Sequence, residues 1–283
     1  MNKTVSILIA FLIIFLTGCS ADTHKHTAQL PCATYMIDSD TIAEVCSILE
    51  SNGLKNTSIY RNWVIDFSET SAKKAGLPER WTALSNPDEN LYLCADYWEK
   101  THNYSDVNCR MTAMLLMGDL LRIDNPEKTY SGTYLMMDAD AIENAAEYSV
   151  LKERESDFTT LFGEMSIPES GLADALPQNW QKHGIRFNSE KVSLISVVIE
   201  DTMSPVAFVG HAGLLINEDD YLLFVEKLAF EQPYQVTKLN NVEELISMLS
   251  ARPEYAAEDG KEQSVICQND IAIGRIDANH SLN

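Results

Sequence analysis

Three side chains in this 283-residue chain have the types and the order needed for nucleophilic attack on a carbonyl: Cys109, His211 and Glu226. A thiol attacks as the thiolate, and a helix N-terminus or a nearby imidazolium lowers its pKa. Cys109 follows Asp106 and Asn108, both good N-cap types. It precedes Met111, Met114, Leu115, Met117, Leu120 and Leu121, which recur at helical spacing. This places the thiol at a helix mouth rather than deep in the core. There the N–H of Cys109 or Arg110, with Asn108 or Tyr104 as second donor, suits an oxyanion. His211 lies in the apolar stretch 208–216, where an imidazole needs a partner. Gly210 and Ala212-Gly213 beside it leave room for another group to approach. Glu226 lies on the next predicted strand. A turn at Asn217–Asp220 brings it level with His211 to within a residue or two, and a carboxylate among apolar residues needs a partner. His211 or a Lys or Arg can serve.

Around this trio, Asn108, Arg110, Tyr104, Gln232 and Tyr234 are the candidate substrate-binding residues. Glu231, Gln232, Tyr234 and Gln235 follow Glu226 and either line the cleft or serve as the group that orients the imidazole. His102 and His183 are rival histidines in polar, loop-like stretches. The bland alternative is a buried structural cysteine and a core histidine bonded to backbone.

The elements that must position these groups follow from periodicity. Residues 39–53 read as a capped helix stopping at Gly53, and 59–67 as extended. Residues 68–75 form a short helix before Gly76-Leu77-Pro78; 87–98 and 138–154 are helical. The second half changes character. Residues 192–199 are a β-branched strand, and 206–216 with 221–230 are a hairpin. Residues 241–249 are a short helix with a capping-box-like Asn241 and Glu244. Residues 252–263 are a polar, acidic loop and 264–276 a final strand. Helices first and antiparallel strands after predict an α+β fold, a helical N-terminal half packed on an antiparallel sheet. One domain over residues 36–283 accommodates it.

The first residues set the compartment. Lys3 precedes an apolar run over 5–16, shorter than the roughly 20 residues of a membrane span and matching a signal-peptide core. Leu16-Thr17-Gly18-Cys19 looks like a bacterial lipobox. It predicts removal of residues 1–18 and acylation of Cys19, anchoring the protein to the lipid bilayer on the extracytoplasmic side. Residues 19–35 then form a tether, in which His24 and His26 read as solvated linker rather than a metal site. Removing residues 1–18 takes away one Lys and no acid, moving the net charge from −21 to −22. That excludes nucleic acid, whose phosphates need Lys and Arg, and electrostatic adhesion to anionic lipid. With Cys19 acylated, Cys32, Cys46, Cys94, Cys109 and Cys267 remain. The odd count leaves at least one thiol outside any intrachain pair. Two pairs among Cys32, Cys46, Cys94 and Cys267 suit an exported protein, with the pairing open. No spacing points to a metal or cofactor.

The segments Asp106-Val107-Asn108-Cys109-Arg110, Val209-Gly210-His211-Ala212-Gly213-Leu214-Leu215 and residues 226–235 resemble the DUF4300 family of bacterial lipoproteins. The similarity runs from about residue 50 to the C-terminus, and the family's name carries no activity. More remotely, a Cys on a helix followed by a His on a strand is similar to NlpC/P60 and papain-like amidases. The flanks of Cys109 depart from the Asp-Cys-Ser of many NlpC/P60 domains. This second resemblance implies a papain-like or NlpC/P60-like fold and a thiol hydrolase or acyl transferase. Cys109 would attack an amide, His211 would move the proton, and Glu226 would orient the imidazole. A peptide or a peptidoglycan stem is the implied substrate. The alternative expectation is a non-catalytic lipoprotein for ligand binding or envelope scaffolding on the same fold.

Overall fold

The computed structural model describes residues 29–84, 89–127, 129–258 and 260–276. The expected signal peptide and Cys19 lie outside the described residues. Among those described, no helix is long and apolar enough to cross a membrane.

The fold is α+β, as the order of patterns predicts. Its main sheet contains β1 (Cys32–Thr34), β2 (Thr82–Ala83), β4 (Met165–Ser166), β6 (Val192–Glu200), β7 (Val206–Asn217), β8 (Leu222–Lys227), β9 (Tyr234–Leu239), β10 (Val265–Gln268) and β11 (Ile271–Arg275). The strands run in the order β11-β10-β6-β7-β8-β9-β1-β2, with β4 also on β7. A separate pair joins β3 (Leu121–Ile123) to β5 (Ile185–Phe187). The helices are α1 (Ser39–Ser51), α2 (Thr57–Phe67), α3 (Lys73–Ala75), α4 (Leu93–Trp98), α5 (Cys109–Met117), α6 (Met136–Asn144), α7 (Ser149–Lys152), α8 (Glu155–Phe162), α9 (Ala175–His183) and α10 (Val242–Ser250).

The central strands read as continuous apolar runs because both faces of the sheet are covered. Val209, Ala212, Leu214, Leu223 and Val225 face the helical layer that contains α5. Ile195, Val197, Leu215 and Phe224 face Leu245 and Leu249 of α10 together with Tyr255. Helix α10 starts as its sequence predicts: the Asn241 side chain accepts from the Glu244 N–H, and Glu244 reaches back to the Asn240 N–H.

Four expectations need correction. Residues 59–67 are helical. Their β-branched and aromatic composition suggests a strand, but Thr57, Tyr60, Trp63, Val64 and Phe67 are buried at helical spacing, and that packing overrides propensity. Residues 138–154 break at Ala145, which is extended (φ −110°, ψ 120°). Residues 264–276 are a hairpin of β10 and β11, turned at Asn269 with φ 52°. Three residues assigned to the tether form β1, which pairs with β9 and β2. Strand β9 itself covers a stretch left without an element. The cysteines are also settled in one respect: Cys32, Cys46, Cys94, Cys109 and Cys267 are buried and none is bridged to another.

Gly213 shows how tightly the β7–β8 hairpin is packed. A Cβ there would stand 2.6 Å from the Phe224 ring. Gly213→Ala is therefore expected to destabilise the protein by about 1–3 kcal/mol. Pairing it with Phe224→Leu should recover part of that loss. Urea unfolding of the three variants checks both.

Candidate active site

The site forms where β7 parts from β8. Their pairing runs only from Gly213 opposite Glu226 to Asn217 opposite Leu222. On the same side of β7, β4 pairs at Val206 and Ala207. Between them the first turn of α5 takes the place of a strand. The Ala212 N–H donates to the Cys109 sulfur. Arg110 Nη1 donates to the Val209 carbonyl at 3.0 Å. Gly210 is the extra residue of a bulge against β6, where His211 pairs with Val197 and Val209 with Val198. The space that glycine leaves at 210 is taken by Ile199, 2.4 Å from where a Cβ would lie.

Asn108 caps α5 as its sequence predicts. It is extended (φ −109°, ψ −171°), and its Oδ1 accepts from the Met111 N–H at 3.0 Å. Cys109 is the first residue of the helix and shares a hydrogen bond with His211. His211 Nε2 lies 2.6 Å from Glu226 Oε2, which leaves Nδ1 as the ring nitrogen for the thiol. Glu226 sits opposite Gly213 and reaches His211 as its same-face diagonal neighbour. The three expected catalytic side chains thus come together in one line.

They are more deeply set than a helix mouth implies. Cys109 is 5% exposed and His211 and Glu226 are each 1% exposed. Electrostatics decide their protonation. Burial pushes the Cys109 thiol up, but the His211 charge, its hydrogen bond, Arg110 and the Ala212 N–H outweigh burial, and the net direction is down. Burial opposes charge on His211, while Cys109 and Glu226 favour it and hold the imidazole up at about 9. Each of the two groups thus favours the charged form of the other. Burial also opposes the Glu226 charge, yet Arg252 and His211 bring that carboxyl down to about 2.

Arg252 is the residue that sequence reasoning missed. Its Nη1 and Nη2 grip Glu226 at 2.7 and 2.6 Å in a bidentate pair. Gln235 Nε2 adds a weaker contact to Glu226 at 3.4 Å. Tyr255 lies over the imidazole with ring centroids 5.3 Å apart. Residue 252 opens a stretch read as a loop, and the only signal for it was the demand of a buried carboxylate for a cation. Of the two partners weighed for Glu226, the imidazole and a basic residue, both are present.

Strand β8 also fixes the other half of the pair. Lys227, next to Glu226, points to the opposite face and is fully buried. Its Nζ lies 2.5 Å from Asp106 Oδ2, donates to the Gln232 carbonyl and sits 3.9 Å from the centre of the Phe67 ring. Burial pulls Lys227 down and Asp106 up, each against the attraction of the other. Asp106 receives the Glu231 carboxylate at its own N–H and leads directly into α5.

The expected substrate-binding residues divide. Gln232 and Gln235 line a groove beside the site. Asn108 and Arg110 are both tied to Asp138, Asn108 Nδ2 at 2.7 Å and Arg110 Nη2 at 2.6 Å. The many acids of the chain offered Arg110 such a partner, and a buried one won. Tyr234 is core, edge-on to Tyr60 and Phe67. Tyr104 packs on Trp98 and Tyr148 and bonds to Glu147. His102 stacks on Trp98, and His183 bonds the Asn125 carbonyl at 2.7 Å. Among the described residues, no cluster of three or more His, Cys, Asp or Glu side chains is placed to hold a metal ion.

Two outcomes test this network. Arg252→Met strands a buried carboxylate and should cost about 3–5 kcal/mol; adding Glu226→Gln removes the charge and should restore more than half, as read by urea unfolding. Glu226 stands at about 2 against an ordinary 4.5. Its contribution is complete above that ordinary value and is lost as pH falls through about 2, a difference of about 3 kcal/mol. Wild type should lose most of that amount between about pH 5 and pH 2.5, and Glu226→Gln should lose correspondingly less.

Neither the curated proteins nor the solved structures contain a match to this chain. The family model described as "Domain of unknown function (DUF4300)" matches residues 33–273, a span that contains α5, β7, β8 and Arg252. The chain therefore belongs to the DUF4300 family.

Proposed function

We propose that this protein is a thiol hydrolase or acyl transferase that acts on an amide and is held at the outer face of a bacterial membrane by acylation of Cys19. The observation that carries the chemistry is the line Cys109–His211–Glu226, with the imidazole bound to the thiol on one nitrogen and to the carboxylate on the other. The papain-like order of a Cys on a helix and a His on a strand supports the same reading.

The proposed steps use the groups of the site. The Cys109 thiolate adds to the amide carbonyl. The N–H groups that head α5 point out of its N-terminus and suit the oxyanion. The His211 imidazolium gives its proton to the departing amine as the C–N bond breaks, leaving a thioester on Cys109. A water, or an acceptor amine, then attacks that thioester. His211 takes its proton, and the thiolate is released. Glu226 keeps the ring oriented throughout, and Arg252 keeps Glu226 ionised. The lipobox-like segment supports the location, and the high negative charge is compatible with a domain carried outside the cell.

The deep burial of Cys109 and His211 favours a second reading, in which the trio is a structural network within a non-catalytic binding or scaffolding lipoprotein. Alkylation of Cys109 against pH, followed by mass spectrometry, separates the two. The hydrolase reading expects an inflection well below the free-thiol value of about 8.5. It expects His211→Ala to slow alkylation at neutral pH by about tenfold or more. A Cys109 that resists alkylation, or a profile indifferent to His211, removes the hydrolase and leaves the scaffold.

A further inference from the structure

A groove of about 660 Å³ crosses the side of the sheet that faces α10. That size is usual for ligand sites. Its floor takes Ala83 from β2, Ala33 from β1, Gln235 from β9, Leu228 from just beyond β8, and Gly210 from β7. Those are successive neighbours in the sheet. Its opposite wall is Ser247 and Met248 of α10 with Arg252 and Tyr255 beyond it.

Three features of the groove bear on its occupant. The first is length. Strands stand about 4.8 Å apart, so crossing five covers about 19 Å, the reach of about six residues of extended chain at ~3.3 Å each. The second is where it ends. Gly210 precedes His211, Tyr255 covers the imidazole, and Gln235 and Arg252 both hold Glu226. The Gly210 end of the groove thus lies beside groups in contact with His211 and Glu226. The third is charge. Glu244, Glu254 and Arg252 are the charged residues on its walls. Arg252 spends both terminal nitrogens on Glu226, so the wall presents an acidic balance in a chain of net charge −21. A basic chain is attracted there and an acidic one repelled.

We propose that this groove receives the substrate as an extended peptide of about six residues, apolar with Lys or Arg among its side chains, with the reacting amide at the Gly210–Tyr255 end. The position of the reacting bond rests on the thiol-hydrolase reading; the binding of the chain rests on the groove alone.

The test uses Cys109→Ala, which removes the nucleophile and leaves the groove. Binding of Ac-Ala-Leu-Lys-Ala-Leu-Lys-amide carrying a neutral fluorophore is followed by anisotropy. It is compared with the Glu-for-Lys hexapeptide and with the Leu-Lys dipeptide. The proposal expects the Lys hexapeptide to bind about tenfold or more tightly than either. Ser247 and Glu254 are exposed, so Ser247→Trp fills the groove and Glu254→Lys reverses a wall charge without touching the core. The first should abolish binding of the Lys hexapeptide, and the second should narrow the preference for it over the Glu peptide. Equal affinity for dipeptide and hexapeptide, or binding that ignores Ser247→Trp in a chain shown folded by circular dichroism, overturns the groove. In that case a low Cys109 inflection in the wild type still upholds the hydrolase. Selective, groove-dependent binding without that inflection upholds the peptide site and removes the hydrolase.

Discussion

Two consecutive residues of one strand hold both halves of the candidate dyad. Glu226 turns into the α10 side of the sheet and fixes His211; Lys227 turns into the helical side and fixes Asp106, three residues before Cys109. Neither charge is tolerable alone in such surroundings. Each is answered by a partner whose position is what the site requires. The alternation of a β-strand converts two adjacent buried charges into a clamp on two separate layers. Any shift of β8 would move His211 and Cys109 together. Arg252 closes the arrangement from the far side, since it ties the turn after α10 to the same carboxylate that orients the imidazole.

Much of this was legible from residue types. The Asn108 cap, the apolar face behind Cys109 and the β7–β8 hairpin all follow from local rules, and the hairpin turn alone puts Glu226 within two residues of the level of His211. What stayed hidden is long-range. Asp138 binds Arg110 across 28 residues, and Arg252 binds Glu226 across 26. No local pattern marks either partner among 42 acidic and 21 basic residues. The helix at 57–67 was masked for a different reason. Its β-branched and aromatic residues favour strands, and only the spacing of those that pack against the core reveals the turn. Strand β9 was overlooked because its polar members, Gln235 and Thr237, point into a network around Glu226 rather than to water.

The groove that faces α10 and the Cys109–His211–Glu226 trio share walls rather than a single opening. Gly210, Gln235, Arg252 and Tyr255 each face the groove and each borders or contacts the trio. A group placed in the groove would therefore touch side chains already in contact with the trio. Burial of Cys109 and His211 matters here, because a wall that excludes water strengthens the attraction between opposite charges.

The place where α5 meets β7 has a further consequence. An unpaired strand edge is a template for pairing with another chain. Along residues 208–212 that edge is occupied by the first turn of α5, through the Ala212 N–H and the Val209 carbonyl. Pulling the helix away to make Cys109 more mobile would also uncover a sticky edge in the middle of an apolar sheet. The contacts that hold Cys109 in place therefore also shield that edge from pairing with another chain.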